Sequence, residues 1–347
     1  TGEGGLSPYH LEKGGDVCWE IGTGYFSTRT LDGKFDPVQF KEKASLPQVK
    51  LTELKLSQGA KPGHGGILPA RKVTAEVAKI RGVPMGQDVL SPPAHSTFST
   101  PIGLLEFVAK MRELSGGKPV GFKLCIGKRR EFLAICKAMR TTGITPDFIN
   151  VDGGEGGTGA APLEFSNSVG APLRESLIFV HNSLVGFGLR KDIKIFCAGR
   201  IVTGFDVVSR MAIGADVCLS ARAMMMALGC IQALRCNTND CPTGVATQDP
   251  ALVVGLDVTH KEVRVANYHR ETMKTVAEMV GAMGLHHTSG LRPWHLMKRT
   301  NLAEIHHYGE IYEFIEEGAL LGTTVPESFK RPLEAARAES FASGSRS

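Results

Sequence analysis

Residues 120–152 read VGFKLCIGKRREFLAICKAMRTTGITPDFINVD. An apolar run at 120–125 passes into a stretch over 130–142 whose apolar side chains recur at helical spacing, and a second apolar run follows at 147–152. Two nearly continuous apolar strands joined by a helix belong to a parallel sheet covered by helices. The same alternation extends in both directions. Strands are predicted at 49–56, 87–90, 193–198 and 216–220, and helices at 71–81, 101–114, 172–188 and 221–234. That makes six β→α units. An open doubly wound sheet would accommodate them, and so would a barrel two units short, since a closed (β/α)8 barrel needs eight. The fold expected is the second: an α/β protein of the (β/α)8 TIM-barrel class that lacks its first two βα units in this chain. The opening residues TGEGG (1–5) look like the loop at a strand end, which places those units upstream of Thr1. From Asp249 the pattern changes to helices with His and Met. The expected organisation is a barrel over 1–248, a helical extension packed on it over 249–330, and a disordered polar tail over 331–347.

Composition narrows the class. Among 347 residues there are 41 glycines, with 42% hydrophobic and 22% charged residues. A chain with that apolar content is not intrinsically disordered, and no G-X-Y period marks collagen. The net charge is only +5, and the densest basic run, Lys128-Arg129-Arg130, is too short for a nucleic-acid-binding arm. No nucleic-acid partner is expected. No run of about 18 apolar residues occurs, so no membrane-spanning helix is predicted. Of the eight cysteines, Cys18, Cys125, Cys136, Cys197 and Cys218 sit singly in apolar runs and read as small buried hydrophobes. With no secretory signal in view a reducing, cytoplasmic setting is expected, and an anchor upstream of Thr1 stays open.

In a barrel of this kind the chemistry lies at the C-terminal ends of the strands. After 49–56 comes SQGAKPGHGGILP (57–69), and after 147–152 comes GGEGGTGAAP (153–162). GRIVTGFD (199–206) and ARAMMMALGC (221–230) follow the last two strands. Residues 154–159 spell G-x-G-x-x-G, which after a strand can mark a dinucleotide site. Its place in mid-chain and Pro162 just beyond favour a glycine-lined barrel mouth instead. The loops after the last two strands are where many barrels hold a phosphate on backbone N–H groups. Gly199, Thr203-Gly204, Gly214-Ala215-Asp216 and Ser220–Arg222 fit that arrangement, with Arg200 and Arg222 placed to add charge-assisted bonds. Tight-turn glycines beside surface arginines are the plainer alternative.

Lys123 stands near the end of an otherwise apolar strand. An ammonium inside a barrel is costly unless it meets an anion or an electron-rich ligand. One such task is to sit beside the edge of a flavin that gains charge on reduction; a lysine snorkelling to the rim is the alternative. Cys230, Cys236 and Cys241 form the one cysteine cluster, the last followed by Pro242. Their spacing lacks the close pairs of zinc sites and suits iron–sulfur ligation better, a three-iron cluster matching three thiolates. Three unrelated buried cysteines would give the same pattern.

KLSQGAKPGHGGILPARKV (55–73), SPPAH (91–95), GGEGGTGAAP (153–162) and GCIQALRCNTNDCPTGVATQ (229–248), with TGEGG at 1–5, resemble the FMN-binding synthase domain of glutamate synthase. The resemblance runs from Thr1 to about Gln248. It implies a barrel carrying FMN and a [3Fe–4S] cluster. In that family 2-oxoglutarate and ammonia give 2-iminoglutarate, and reduced FMN delivers a hydride to make L-glutamate. By position, Cys230, Cys236 and Cys241 look like the cluster ligands, and Lys123 resembles the strand lysine that faces the flavin. Gly156, Gly157, Thr158, Gly159, Gly199, Arg200, Ala221 and Arg222 fall in the implied cofactor loops. Glu3, Lys55, Gln58 and Lys61 fall in the motifs that line flavin and 2-oxoglutarate, and are the implied catalytic set. The implied electron donor is a ferredoxin or a reductase subunit. Ammonia would come from solution or from a separate amidotransferase subunit.

The sequence also departs from the family's pattern. Ala198-Gly199-Arg200 stands where an acidic-Gly-Gly turn is usual, Arg222 where a small residue is usual, and His64 where Glu is usual. These changes keep open a related flavoenzyme that makes an N-substituted glutamate from an amine. A barrel retained as a non-catalytic electron-transfer subunit is a further alternative.

Overall fold

The structure is a computed structural model and describes residues 4–156 and 161–342. Strand β1 (Val17–Ile21) leads through α1 (Pro37–Ala44) to β2 (Val49–Lys55). An excursion follows, with short strands β3 (Gly66–Leu68) and β4 (Val89–Ser91) on either side of α2 (Ala75–Arg81). The chain continues through α3 (Pro101–Leu114), β5 (Val120–Leu124), α4 (Arg129–Thr142) and β6 (Phe148–Asp152). It goes on through α5 (Leu173–Gly186), β7 (Lys194–Ala198), α6 (Gly204–Ala212), β8 (Val217–Leu219) and α7 (Arg222–Leu228). Starts are set by local chemistry. Thr100 caps α3 by accepting the Gly103 N–H, with Pro101 in the first turn, and Thr203 and Asp206 cap α6 reciprocally.

Strands β1, β2, β5, β6, β7 and β8 form one sheet in that order, every neighbouring pair parallel. Strictly sequential neighbours are the order of a (β/α)8 barrel, whereas a doubly wound sheet reverses direction at a switch point. The sheet is therefore a partial barrel, six strands wide among the described residues, with β1 and β8 at its edges. Its outward face carries Trp19, Leu54, Phe122, Ile149 and Ile195, all buried. Trp19 stacks on Phe40 of α1 with ring centroids 5.5 Å apart. Burying each such side chain stabilises the fold by about 1.5–3 kcal/mol. That outward layer holds the sheet, which leaves the inward face free to carry polar groups.

The strand count matches the expectation, but one member differs. Residues 87–90 do not join the barrel. Strand β4 pairs antiparallel with β3 in a separate two-stranded flap, where Ile67 and Leu90 are exposed. The missing member is β1, VCWEI, where a glutamate interrupts five residues that are otherwise strand-like. The helix expected over 221–234 ends at Leu228.

Beyond the sheet lie α8 (Pro250–Val253), the long α9 (Val258–Ala282), a hairpin of β9 (Met297–Arg299) and β10 (Ile305–His307), α10 (Tyr308–Ile311) and α11 (Glu327–Ala335). Helix α9 packs along α6 and α7 and buries Val276 and Val280. Disorder from 331 onward is not what the described residues show. Helix α11 runs across that boundary, and Phe329 stacks on Phe179 of α5 with centroids 5.5 Å apart. The Lys137 ammonium donates to the carbonyls of Leu333 and Ala336 at 2.8 and 3.0 Å, and Arg130 donates to that of Phe341. Phe329, Leu333 and Ala336 recur at helical spacing, which a composition-based view of a polar tail overlooks. Among the described residues no helix is long and apolar enough to cross a membrane.

Candidate active site

The C-terminal ends of four neighbouring strands carry a polar layer: Glu20 on β1, Glu53 and Lys55 on β2, Lys123 on β5, and Asn150 and Asp152 on β6. Residues two apart on a strand share a face, so Glu53 lies with Lys55, and Asn150 with Asp152. The sheet register then sets Glu20 opposite Glu53, Lys55 opposite Lys123, and Lys123 opposite Asn150. Lys123 Nζ donates to Glu20 Oε2 at 3.1 Å and lies 3.8 Å from Asp152 Oδ2. Lys55 Nζ lies 3.6 Å from Glu20 Oε1 and donates to Gln58 Oε1 at 3.4 Å. Asn150 Nδ2 donates to Glu53 Oε1 at 2.9 Å.

Burial and charge oppose each other here, and the winner differs from residue to residue. For Glu20 burial favours the neutral acid, but the Lys123 and Lys55 ammoniums outweigh it and bring the carboxyl down to about 2. Glu53 has no ammonium in contact among the described residues, and Lys123 pulls it down only weakly. Burial first, and then the neighbouring Glu20 carboxylate, push its carboxyl up to about 8. Burial alone would strip Lys123 of its proton, but Glu20, Asp152 and Glu53 more than offset that and raise it above the usual lysine range. Asp152 is raised by burial, against the pull of Lys123 and the Gly59 N–H.

Above this layer opens a cavity of about 780 Å³. Glu20, Glu53, Lys123, Asn150 and Asp152 line it on the sheet side. Gly156, Gly199, Arg200, Ala221 and Arg222 line it from the strand-end loops, and Tyr268 and His269 from α9. Lys55, Gln58, Lys61 and His64 gather at a smaller adjoining pocket of about 50 Å³, and Gln58 lines both. Gly199 holds φ at 140° and Arg200 at 48°, a left-handed turn that faces the cavity. Gly59 is needed for close approach: a Cβ there would stand 1.8 Å from the Gly153 carbonyl oxygen.

Most of the expected cofactor and catalytic residues therefore share one mouth: Lys55, Gln58 and Lys61, and Lys123, Gly156, Gly199, Arg200, Ala221 and Arg222. Glu3, Gly157, Thr158 and Gly159 lie outside the described residues. One expectation needs correcting. Gly214-Ala215-Asp216 precedes β8 and so lies at the opposite end of the sheet, where Asp216 takes a 2.8 Å ion pair from Arg190. It cannot help hold a phosphate at the mouth. Arg222 in turn is engaged with the Glu155 carbonyl. Of the expected cluster ligands, Cys241 is buried and Cys230 and Cys236 are half-buried. The Cys241 thiol is lowered despite burial, by the Thr243 hydroxyl and by backbone N–H groups of residues 246, 243 and 245. Cys230 Sγ accepts the Gln232 N–H at 3.4 Å. Yet among the described residues no three His, Cys, Asp or Glu side chains group as metal ligands.

Sequence reasoning missed Glu20, Glu53, Asn150 and Asp152. The signal was present in β2 and β6, where polar residues two apart flank an apolar one in Glu53-Leu54-Lys55 and Asn150-Val151-Asp152.

A parallel barrel wall with a charged, cavity-lining mouth defines the class as an α/β-barrel protein. Residues 1–286 match the family described as the conserved region in glutamate synthase. The chain belongs to the glutamate synthase family. It is 44% identical over 285 residues to the glutamate synthase large subunit-like protein YerD of Bacillus subtilis, covering 82% of this chain and 54% of that protein. It is 34% identical over 293 residues to an archaeal glutamate synthase (NADPH) of Methanocaldococcus jannaschii, covering 84% and 54%. The chain spans about half the length of these curated relatives. A mutant flavocytochrome b2 with pyruvate bound superposes at a TM-score of 0.47 with 16% identity, over 93% of this chain and 65% of that one. That likeness is too loose to bear on the site.

Proposed function

We propose that the chain is the synthase portion of a glutamate synthase-type oxidoreductase, binding FMN in the large cavity and 2-oxoglutarate beside it. The observation that carries this reading is Lys123, an ammonium fixed by Glu20 and Asp152 at the sheet side of a cavity of about 780 Å³. That volume falls in the range of small-molecule sites. The donor set suits a phosphate-bearing cofactor: Arg200 and the Gly199 turn would hold the phosphate, and Lys123 would supply the cation that a reduced ring needs. Asn150 Oδ1 is buried with no hydrogen-bond partner among the described residues, which leaves a polar atom for a ligand to satisfy.

Lys55 and Lys61 at the adjoining pocket supply the positive charge that a dicarboxylate such as 2-oxoglutarate requires, and Gln58 lies between the two spaces to orient it. FMN, when bound, supplies a hydride to the C2 carbon of 2-iminoglutarate formed from 2-oxoglutarate and ammonia. This chain's residues hold the substrate carboxylates, keep the site electropositive and exclude water under the α9 side chains. The [3Fe–4S] cluster is carried by family resemblance alone, and no electron path is routed through Cys230, Cys236 and Cys241. A ferredoxin or an NADPH-linked reductase subunit would feed the site, and an amidotransferase subunit would supply ammonia.

The test is made on the natural full-length chain. Titration with FMN is expected to reach saturation at one per chain, and the reduced flavin is expected to reoxidise on adding 2-oxoglutarate with ammonia. Absence of saturable FMN binding would overturn the reading.

A further inference from the structure

The polar layer holds more carboxyls than its lysines neutralise. Two ammoniums, Lys55 and Lys123, face three carboxyls, Glu20, Glu53 and Asp152. Glu20 touches both lysines and Asp152 one, while Glu53 meets the uncharged amide of Asn150 and the Glu20 carboxylate itself. Glu53 is 1% exposed and Glu20 3%, so neither can lean on water to carry an extra charge. Buried carboxyls in register on neighbouring strands cannot both ionise cheaply, and the one without a cation takes the proton. That acid shares a hydrogen bond with the Glu20 carboxylate, and the residue lines the cavity.

We propose that Glu53 is the proton-carrying acid of this site: Glu20 stays ionised between the lysines, and Glu53 keeps a proton to give to a ligand in the cavity. This role rests on the proposed function. Addition of a hydride to the C2 carbon of 2-iminoglutarate converts the C=N bond to C–N and leaves an electron pair on nitrogen. That pair takes a proton, so an N–H bond forms as the Glu53 O–H bond breaks. The resulting carboxylate regains its proton from solvent. The two electrons come from the hydride. The groups facing Glu53 are Cys18 and Glu20 from β1, Lys55 from its own strand, Lys123 from β5 and Asn150 and Asp152 from β6. Arg200, Arg222 and His269 line the far side of the same cavity. General acids of this kind contribute about 10²–10⁴-fold to a rate.

The experiment compares the natural full-length chain with Glu53→Gln and Glu20→Gln. The infrared carbonyl stretch of a protonated carboxyl at pH 7 is expected in the parent and absent in E53Q. The Glu53 carboxyl is raised from its ordinary 4.5 to about 8, so the folded chain binds more protons than the unfolded one between those values. Stability relative to E53Q should therefore fall as pH rises through that window. In E20Q the like charge is gone, and the titration should move to lower pH. Turnover of 2-oxoglutarate with ammonia should drop at least tenfold in E53Q, and the alkaline limb near pH 8 should vanish. No infrared difference, or a stability difference that is flat with pH, overturns the protonation. Parent-like turnover by a folded E53Q overturns the donor role. Lack of turnover in the parent itself counts against the proposed function, and the infrared and stability readouts still decide whether Glu53 carries the proton. If E53Q fails to fold, the shift in E20Q decides that point.

Discussion

Gly59 donates its backbone N–H to Asp152 Oδ2 at 2.9 Å, which ties the loop after β2 to the end of β6 across the intervening strand β5. The contact needs glycine, because a Cβ at that position would stand 1.8 Å from the Gly153 carbonyl oxygen. Gly59→Ala forces the two loops apart. We expect it to destabilise the chain by about 1–3 kcal/mol, the scale of overpacking, and to weaken FMN binding as well. Urea denaturation alongside a flavin titration measures both; an alanine variant with parent midpoint and affinity would show that the loops part freely.

Replacing Lys123 with Met leaves Glu20 and Asp152 without their shared cation. Removing one partner of a buried pair costs about 3–5 kcal/mol, and most of that arises from the stranded carboxylates. The loss should therefore shrink in acid, where those carboxylates take up protons. Denaturation midpoints at pH 7 and pH 4 check the prediction, and an equal deficit at both would contradict it.

One buried and one half-buried histidine, His95 and His181, give acid sensitivity. Burial lowers His95 to about 4, against its hydrogen bond to the Lys55 carbonyl, and burial with the nearby Arg190 lowers His181 to about 4. The unfolded chain binds more protons than the folded one between about 4 and the ordinary 6.5. Stability is then fully present above 6.5 and is lost as pH falls toward 4, by about 3 kcal/mol for each histidine. His95 is held by Tyr25 at 3.1 Å and the Lys55 carbonyl at 2.8 Å. His95→Gln should remove about half of the acid loss seen between pH 7 and pH 4.

The α11 segment is docked through one aromatic contact that mutation can probe. Phe329→Ala removes the ring stacked on Phe179, and a buried Phe→Ala change costs about 3–5 kcal/mol where the site does not collapse. Proteolysis should then begin between α11 and residue 342. Unchanged stability and protection would mean that the segment adds nothing to the barrel.

The β5–α4–β6 unit was readable because its outward faces are uniformly apolar and its helix is strongly periodic. The β1 strand was not, since Glu20 falls within five residues and a lone carboxylate reads as loop. The same cause hid half of the site: groups that do chemistry inside a barrel break the apolar pattern by which strands are recognised. Lys123 stood out because its strand is otherwise apolar, whereas Glu53 and Asn150 were masked by their polar neighbours Lys55 and Asp152. Gly214-Ala215-Asp216 was misplaced for a different reason. Glycine-rich segments look alike at either end of a strand, and only chain order separates those before β8 from those after it.

Helix α9 sets the smallest piece of this chain worth excising. The glycine and cysteine motifs end near residue 248, yet Tyr268 and His269 close one side of the large cavity, and Val276 and Val280 are buried in the core. Cutting after Gln248 would unroof the pocket and leave the apolar surface of α6 and α7 bare, inviting aggregation. Carried through to residue 286, where the family match also ends, a transplanted barrel would keep its own wall.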